Sequence, residues 1–130
     1  MARIGAATPA ARVARSRADE PEAAARMDRF FDDVDVLLTP LFTRPPFEVG
    51  RFEGRGFWAA YNGSSGFVPW PGMWNILGQP ACSVPAGWSS EGTPLAAQLV
   101  GRTDDEGTLL SLAAQLEAER RWTDRRPPIS

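Results

Sequence analysis

Few stretches of this sequence carry residue types that do chemistry. Asn62-Gly63-Ser64-Ser65-Gly66 sets two hydroxyls among glycines. Such a turn presents a nucleophilic oxygen beside backbone N–H donors when a base is within reach. Cys82 is the single thiol, inside an apolar run with no cationic neighbour in sequence. Asp32, Asp33 and Asp35, and then Asp104, Asp105 and Glu106, are acidic groups of the kind that hold a metal or act as acid and base. Trp58, Trp70, Trp74 and Trp88 cluster near Gly- and Pro-rich segments, where aromatic side chains line clefts or plug loops onto a sheet.

Composition limits what these groups can do. All 14 basic residues are Arg, and the chain has neither Lys nor His. The commonest general base and the usual catalytic amine are therefore both missing, and with them any Ser-His-Asp, Cys-His or Ser-Lys arrangement. Without a base, the serines of residues 62–66 read as a polar loop tip. Cys82 reads as a small core residue. The acidic groups read as solvated caps, because the second lies at a helix N-terminus where carboxylates belong. We expect no catalytic residue, no metal site and no cofactor in this chain.

The remaining bounds are quieter. A length of 130 residues suits one small domain or a piece of a larger one. A net charge of −2 gives no clustered basic surface for nucleic acid. No apolar run approaches the roughly 20 residues that span a bilayer, so no membrane association is expected. The Arg- and Ala-rich start lacks the apolar core of a secretory signal, and one cysteine excludes an internal disulfide. Both point to the cytoplasm.

The elements that must position these residues follow from periodicity. Residues 1–31 read as a helical lead-in, with Pro21 near the start of a helix and a separate or kinked helix upstream of it. Ala23, Met27, Phe30, Phe31 and Val34 recur at spacings of three and four, as one covered face. Residues 33–40 read as a short buried strand, and 41–72 as a long loop with one helical turn near Phe57. Residues 81–87 and 95–101 are two more strands, apolar enough to want cover on both faces. A helix follows, with Leu109, Leu112, Ala113 and Leu116 as its buried stripe. The fold class is α/β, a partial mixed sheet with flanking helices. Three strands and three helices cover one another poorly, so residues 1–130 read as one incomplete domain with an open sheet edge.

Within residues 74–87, Asn75 and Gly78 read as a tight turn and Pro80 as the start of a central strand. Ser83 then hydrogen-bonds within the core, and Pro85 closes the motif. Asp35 and Pro40 precede it; Ala81 and Gly87 lie within it, and Gly92, Pro94, Gln98 and Gly101 follow in order. Together these resemble the C-terminal part of an amidase signature family enzyme, over about residues 26–123. The resemblance implies an amidase-type sheet, and amide hydrolysis or nitrogen transfer by a Ser–cis-Ser–Lys triad. In that family the triad lies upstream of this region, so no catalytic residue carries over. The serines of residues 62–66 sit where the family's nucleophile does not. Members that use glutamine carry polar side chains where this chain has Val68 and Pro71, which implies a more apolar amide substrate. Phe67, Val68, Trp70 and Trp74 are then the expected pocket lining. The expected partner is a chain carrying the catalytic half, or a second copy joined through the open sheet edge. A free-standing binding module on the same scaffold is the alternative.

Overall fold

The alternation of inward and outward residues in Pro94-Leu95-Ala96-Ala97-Gln98-Leu99-Val100-Gly101 sets the architecture. In the computed structural model, which describes residues 8–124, this stretch is strand β3 (Pro94–Gly101), the middle of a three-stranded sheet. It is flanked by β1 (Val36–Pro40) and β2 (Ala81–Trp88), both antiparallel to it. Because successive side chains alternate between faces, Leu99 and Val100 build two different cores.

On one face, Leu99 packs with Val84 and with Leu109 from helix α4 (Glu106–Arg120). The expected stripe of Leu112, Ala113 and Leu116 completes this cluster. Asp105 caps α4, its side chain accepting from the Thr108 N–H at 3.4 Å, which satisfies one free N–H of the first turn. On the other face, Val100 packs with Phe31 and Trp74, flanked by Met27 and Leu37. Phe31 caps the C-terminus of helix α1 (Ala10–Phe30). Trp74 comes from helix α3 (Pro71–Leu77), which follows helix α2 (Phe57–Ser65).

Several elements differ from expectation. Among the described residues the lead-in is one helix running through Pro21, without a separate helix upstream; residues 1–7 of the expected lead-in lie outside them. Residues 11–20 are solvent-exposed and rich in Ala and Arg, so strong helix formers carry the chain across the one N–H that proline lacks. Its inward face is narrower than the pattern suggested: Met27 and Phe31 face the core, while Phe30 and Val34 remain 43% and 37% exposed. The expected loop 41–72 contains a nine-residue helix and the start of α3. Asn75 lies inside α3; Gly78 ends it in the left-handed conformation, φ 82°, which a residue without Cβ adopts freely. Pro80 precedes β2, but β2 is an edge strand and β3 the central one. An edge is where Pro85, with no N–H to give to a ladder, is tolerated. Ser83 is exposed and makes no hydrogen bond in the core.

The uncovered part of the sheet is specific. Ala81, Ser83 and Pro85 share the α1/α3 face, and all three are exposed. Helices α1 and α3 therefore shield the β1 side of this face and leave the β2 side open.

Candidate functional site

The residues that suggested chemistry are dispersed. Asn62 to Ser65 form the last turn of α2, not a loop tip, with Gly66 as its C-cap. The Ser64 hydroxyl donates to Ala60 O at 2.8 Å, and Ser65 Oγ donates to Asn62 O at 3.4 Å. Both hydroxyls are turned back onto their own helix, a local bond that competes with any external role. Gly63 is required there for another reason. A Cβ on it would stand 2.7 Å from the Phe52 ring, so any side chain there would force the ring to shift.

Cys82 is half-buried and packs against the Val84, Leu99 and Leu109 cluster. Burial pushes its thiol pKa up, away from the thiolate a nucleophile needs. Among the described residues no group of three or more His, Cys, Asp or Glu side chains could hold a metal ion. Asp105 is a cap, and Asp32 stands 3.8 Å from the Arg102 guanidinium on the surface.

The four expected pocket residues separate into two environments. Phe67 stacks on Phe42 with ring centroids 4.6 Å apart and tilts against Phe47 at 4.8 Å. The guanidiniums of Arg44 and Arg51 lie over Phe47, 4.6 and 4.9 Å from its centroid. This aromatic group borders a cleft of about 160 Å³ between residues 42–46 and 94–96. Val68 and Trp70 are each 38% exposed on the link from α2 to α3. Trp74 is elsewhere: it is 2% exposed, in the core on the α1/α3 face. Its indole N–H donates to Gln98 Oε1 at 3.0 Å. Of the other tryptophans, Trp58 and Trp88 are 59% and 40% exposed. A wider cleft of about 570 Å³ runs between the start of β1 and α4, lined by Val34, Asp35 and Val36 opposite Thr108, Ser111, Leu112 and Gln115.

A polar cluster that the sequence reading did not anticipate joins the end of α1 to the α3–β2 and β3–α4 corners. Gln79 is buried; its Nε2 donates to Asp28 Oδ1 at 3.3 Å and to Thr103 Oγ1 at 3.2 Å. Thr103 in turn donates to Asp28 at 2.8 Å. Arg102 donates to the Phe31 carbonyl beside it. Partners 51 and 75 residues apart leave no local pattern to read. A glutamine two residues before β2 was the only signal.

Among the described residues the arrangement offers apolar walls and hydrogen-bond donors, and no nucleophile paired with a base. Comparison with known proteins gives this a context. The profile of the amidase family matches residues 2–110. AmiB2 of Mycobacterium tuberculosis, named as an amidase, is 42% identical over 130 residues, covering all of this chain and 28% of that protein. The 6-aminohexanoate-cyclic-dimer hydrolase of Paenarthrobacter ureafaciens is 38% identical over 103 residues, 73% of this chain and 21% of that one. A solved structure of 6-aminohexanoate cyclic dimer hydrolase superposes with a TM-score of 0.73 at 33% identity, over 85% of this chain and 24% of that one. A glutamyl-tRNA(Gln) amidotransferase polypeptide of Thermotoga maritima shares the fold, with a TM-score of 0.63 at 23% identity over 82% of this chain and 22% of that one. The chain thus spans roughly a quarter of the length of these proteins, and it belongs to the amidase family.

Proposed function

We propose that this chain is the C-terminal section of an amide-hydrolysing domain, supplying sheet and pocket wall while the catalytic triad lies in the rest of that domain. One observation carries the reading. The sheet is covered on the α4 face and half covered on the other, and it ends in an eight-residue edge strand whose outward row is exposed. Such an edge offers unpaired N–H and C=O groups to another strand. The lack of Lys and His fits a section that does not perform the bond cleavage itself. Phe67, Val68 and Trp70 are its contribution to the pocket wall, with Trp74 as the buried support behind the sheet. The apolar Val68 favours an apolar amide over glutamine. The same domain works in the cytoplasm, in keeping with a single half-buried thiol.

The test is ammonia release from hexanamide by three preparations: this chain, the non-matching portion of AmiB2, and the two mixed. The mixture should turn over and the chain alone should not. Ser64→Ala and Ser65→Ala should leave the mixture's rate unchanged. Turnover by the chain alone would sink the proposal.

The alternative, a free-standing binding module, draws support from the two small cores on opposite sheet faces. It requires a discrete monomer or dimer with a sharp urea transition in which no partner polypeptide changes the midpoint. A broad transition, or a midpoint raised by the partner, removes it.

A further inference from the structure

Gln98 is one of two buried polar side chains among the described residues, 5% exposed in the middle of β3. Its Oε1 accepts from the Trp74 indole at 3.0 Å and stands 3.5 Å from the Thr39 hydroxyl. An indole N–H only donates, so it dictates which end of the Gln98 amide is oxygen. Nε2 is therefore the end left over, and no acceptor among the described residues meets it. Gln79 Oε1 is the only side-chain polar atom among them that is both sealed from solvent and unpartnered. Gln98 Nε2 thus keeps a small opening to the surface. Once that opening is covered, an amide donor without an acceptor is costly, and buried polar groups in folded proteins are nearly always satisfied.

Ser83 stands directly opposite Gln98 in the β2–β3 register. Residues paired in this way project from the same face. Ser83 is exposed, and its hydroxyl has no partner among the described residues. Thr39, Gln98 and Ser83 thus form one polar rung across the sheet, answered on the β1 side and open on the β2 side.

We infer that the Gln98 amide and the Ser83 hydroxyl are a donor pair for a main-chain carbonyl oxygen of the polypeptide that covers the open half of this sheet face. The inference rests on the reading of this chain as one section of an amidase domain. The rung and its neighbours Trp74, Ala81 and Val100 are all neutral, which suits a neutral oxygen better than a carboxylate. The chain covers 28% of AmiB2, so most of such a domain is polypeptide of the kind that would lie here. Among its groups the backbone carbonyl is the most abundant neutral acceptor. Gln98 and Ser83 are in this sense positioning residues: they set the register of the covering segment on the sheet.

The test uses the full 130-residue chain and the non-matching portion of AmiB2, with affinity read by titration calorimetry. Ser83→Ala should weaken the complex roughly three- to tenfold, the effect of one hydrogen bond, while leaving the urea midpoint of the isolated chain unchanged. Ser83→Thr, which keeps the hydroxyl, should restore it. Gln98→Met should weaken the complex at least as much. Its own midpoint must be measured beside it, because that side chain is buried. A second measurement removes the dependence on concentration: with both pieces joined in one polypeptide, Ser83→Ala should lower the shared unfolding midpoint. Equal affinities and equal joined-chain midpoints for wild type and Ser83→Ala would overturn the donor pair and leave the amidase reading intact. Failure of the wild-type pieces to associate, with two independent transitions in the joined chain, would overturn both.

Discussion

The sheet with α4 and the excursion between β1 and α3 solve the packing problem differently. In the first, alternation on β3 and the spacing of Leu109, Leu112, Ala113 and Leu116 on α4 bury aliphatic side chains against one another. In the second, residues 41–70 contain no fully buried side chain. Here Phe42 stacks on Phe67, Phe47 tilts against Phe67 and meets Phe52 edge to face, and two arginines lie over Phe47. Side chains then bind backbone: Thr43 Oγ1 donates to Gly66 O at 2.8 Å and Arg44 Nη2 to Gly63 O at 3.2 Å. The difference teaches that the sheet is held by apolar burial and the excursion by a few specific contacts. A surface of specific contacts can vary while the sheet beneath it stays constant.

The comparison is most sharply tested by a cavity. Leu99→Ala should destabilise the chain by about 2–5 kcal/mol, read as a lowered urea midpoint. It should abolish cooperative unfolding if the chain is marginal by itself. A loss near zero would mean that burial on the α4 face does not hold the sheet. Gly63→Ala comes next. The added methyl meets the Phe52 ring, and overpacking of this kind costs about 1–3 kcal/mol. The expected signature is local: altered hydrogen exchange across residues 41–70, with the β2–β3 amides protected as before. Equal loss of protection in both regions would show that they unfold as one unit and break the contrast.

The smallest effect concerns pH. The Cys82 thiol is raised by burial, so the folded chain holds its proton at pH values where the unfolded chain begins to lose it. Stability from this source is complete below the unfolded thiol's pKa and is lost as pH rises through the folded one. Midpoints should therefore fall slightly above the ordinary thiol range, and Cys82→Ala should remove that slope. An unchanged slope in the variant would separate Cys82 from the α4 core.

Much of this molecule was written locally. The three strands, the α4 stripe, the Asp105 cap and the amidase family itself are legible because each depends on short stretches whose residues lie a few positions apart. Local rules failed in the excursion, where a glycine and two serines of the kind that favour turns were drawn into α2. Ring stacking at Phe42 and Phe67 and the close approach at Gly63 and Phe52 join residues 11 to 25 apart, beyond the reach of any helical or strand period. For Trp74 local pattern left two roles open, cleft lining or plugging a loop onto the sheet, and only the packing against Phe31 and Val100 shows how deeply it is buried.

The sequence alone determined the α/β class, the missing base and amine, and the family to which the chain belongs, because these follow from composition, short-range periodicity and ordered motifs. Tertiary structure alone decided that β3 rather than β2 is central. It decided that Gln79 joins Asp28 to Thr103, and that Gln98 keeps a donor beside Ser83 on the uncovered half of the sheet. Strand order and buried hydrogen bonds are settled by which distant segments exclude water from one another, and no local spacing encodes that choice.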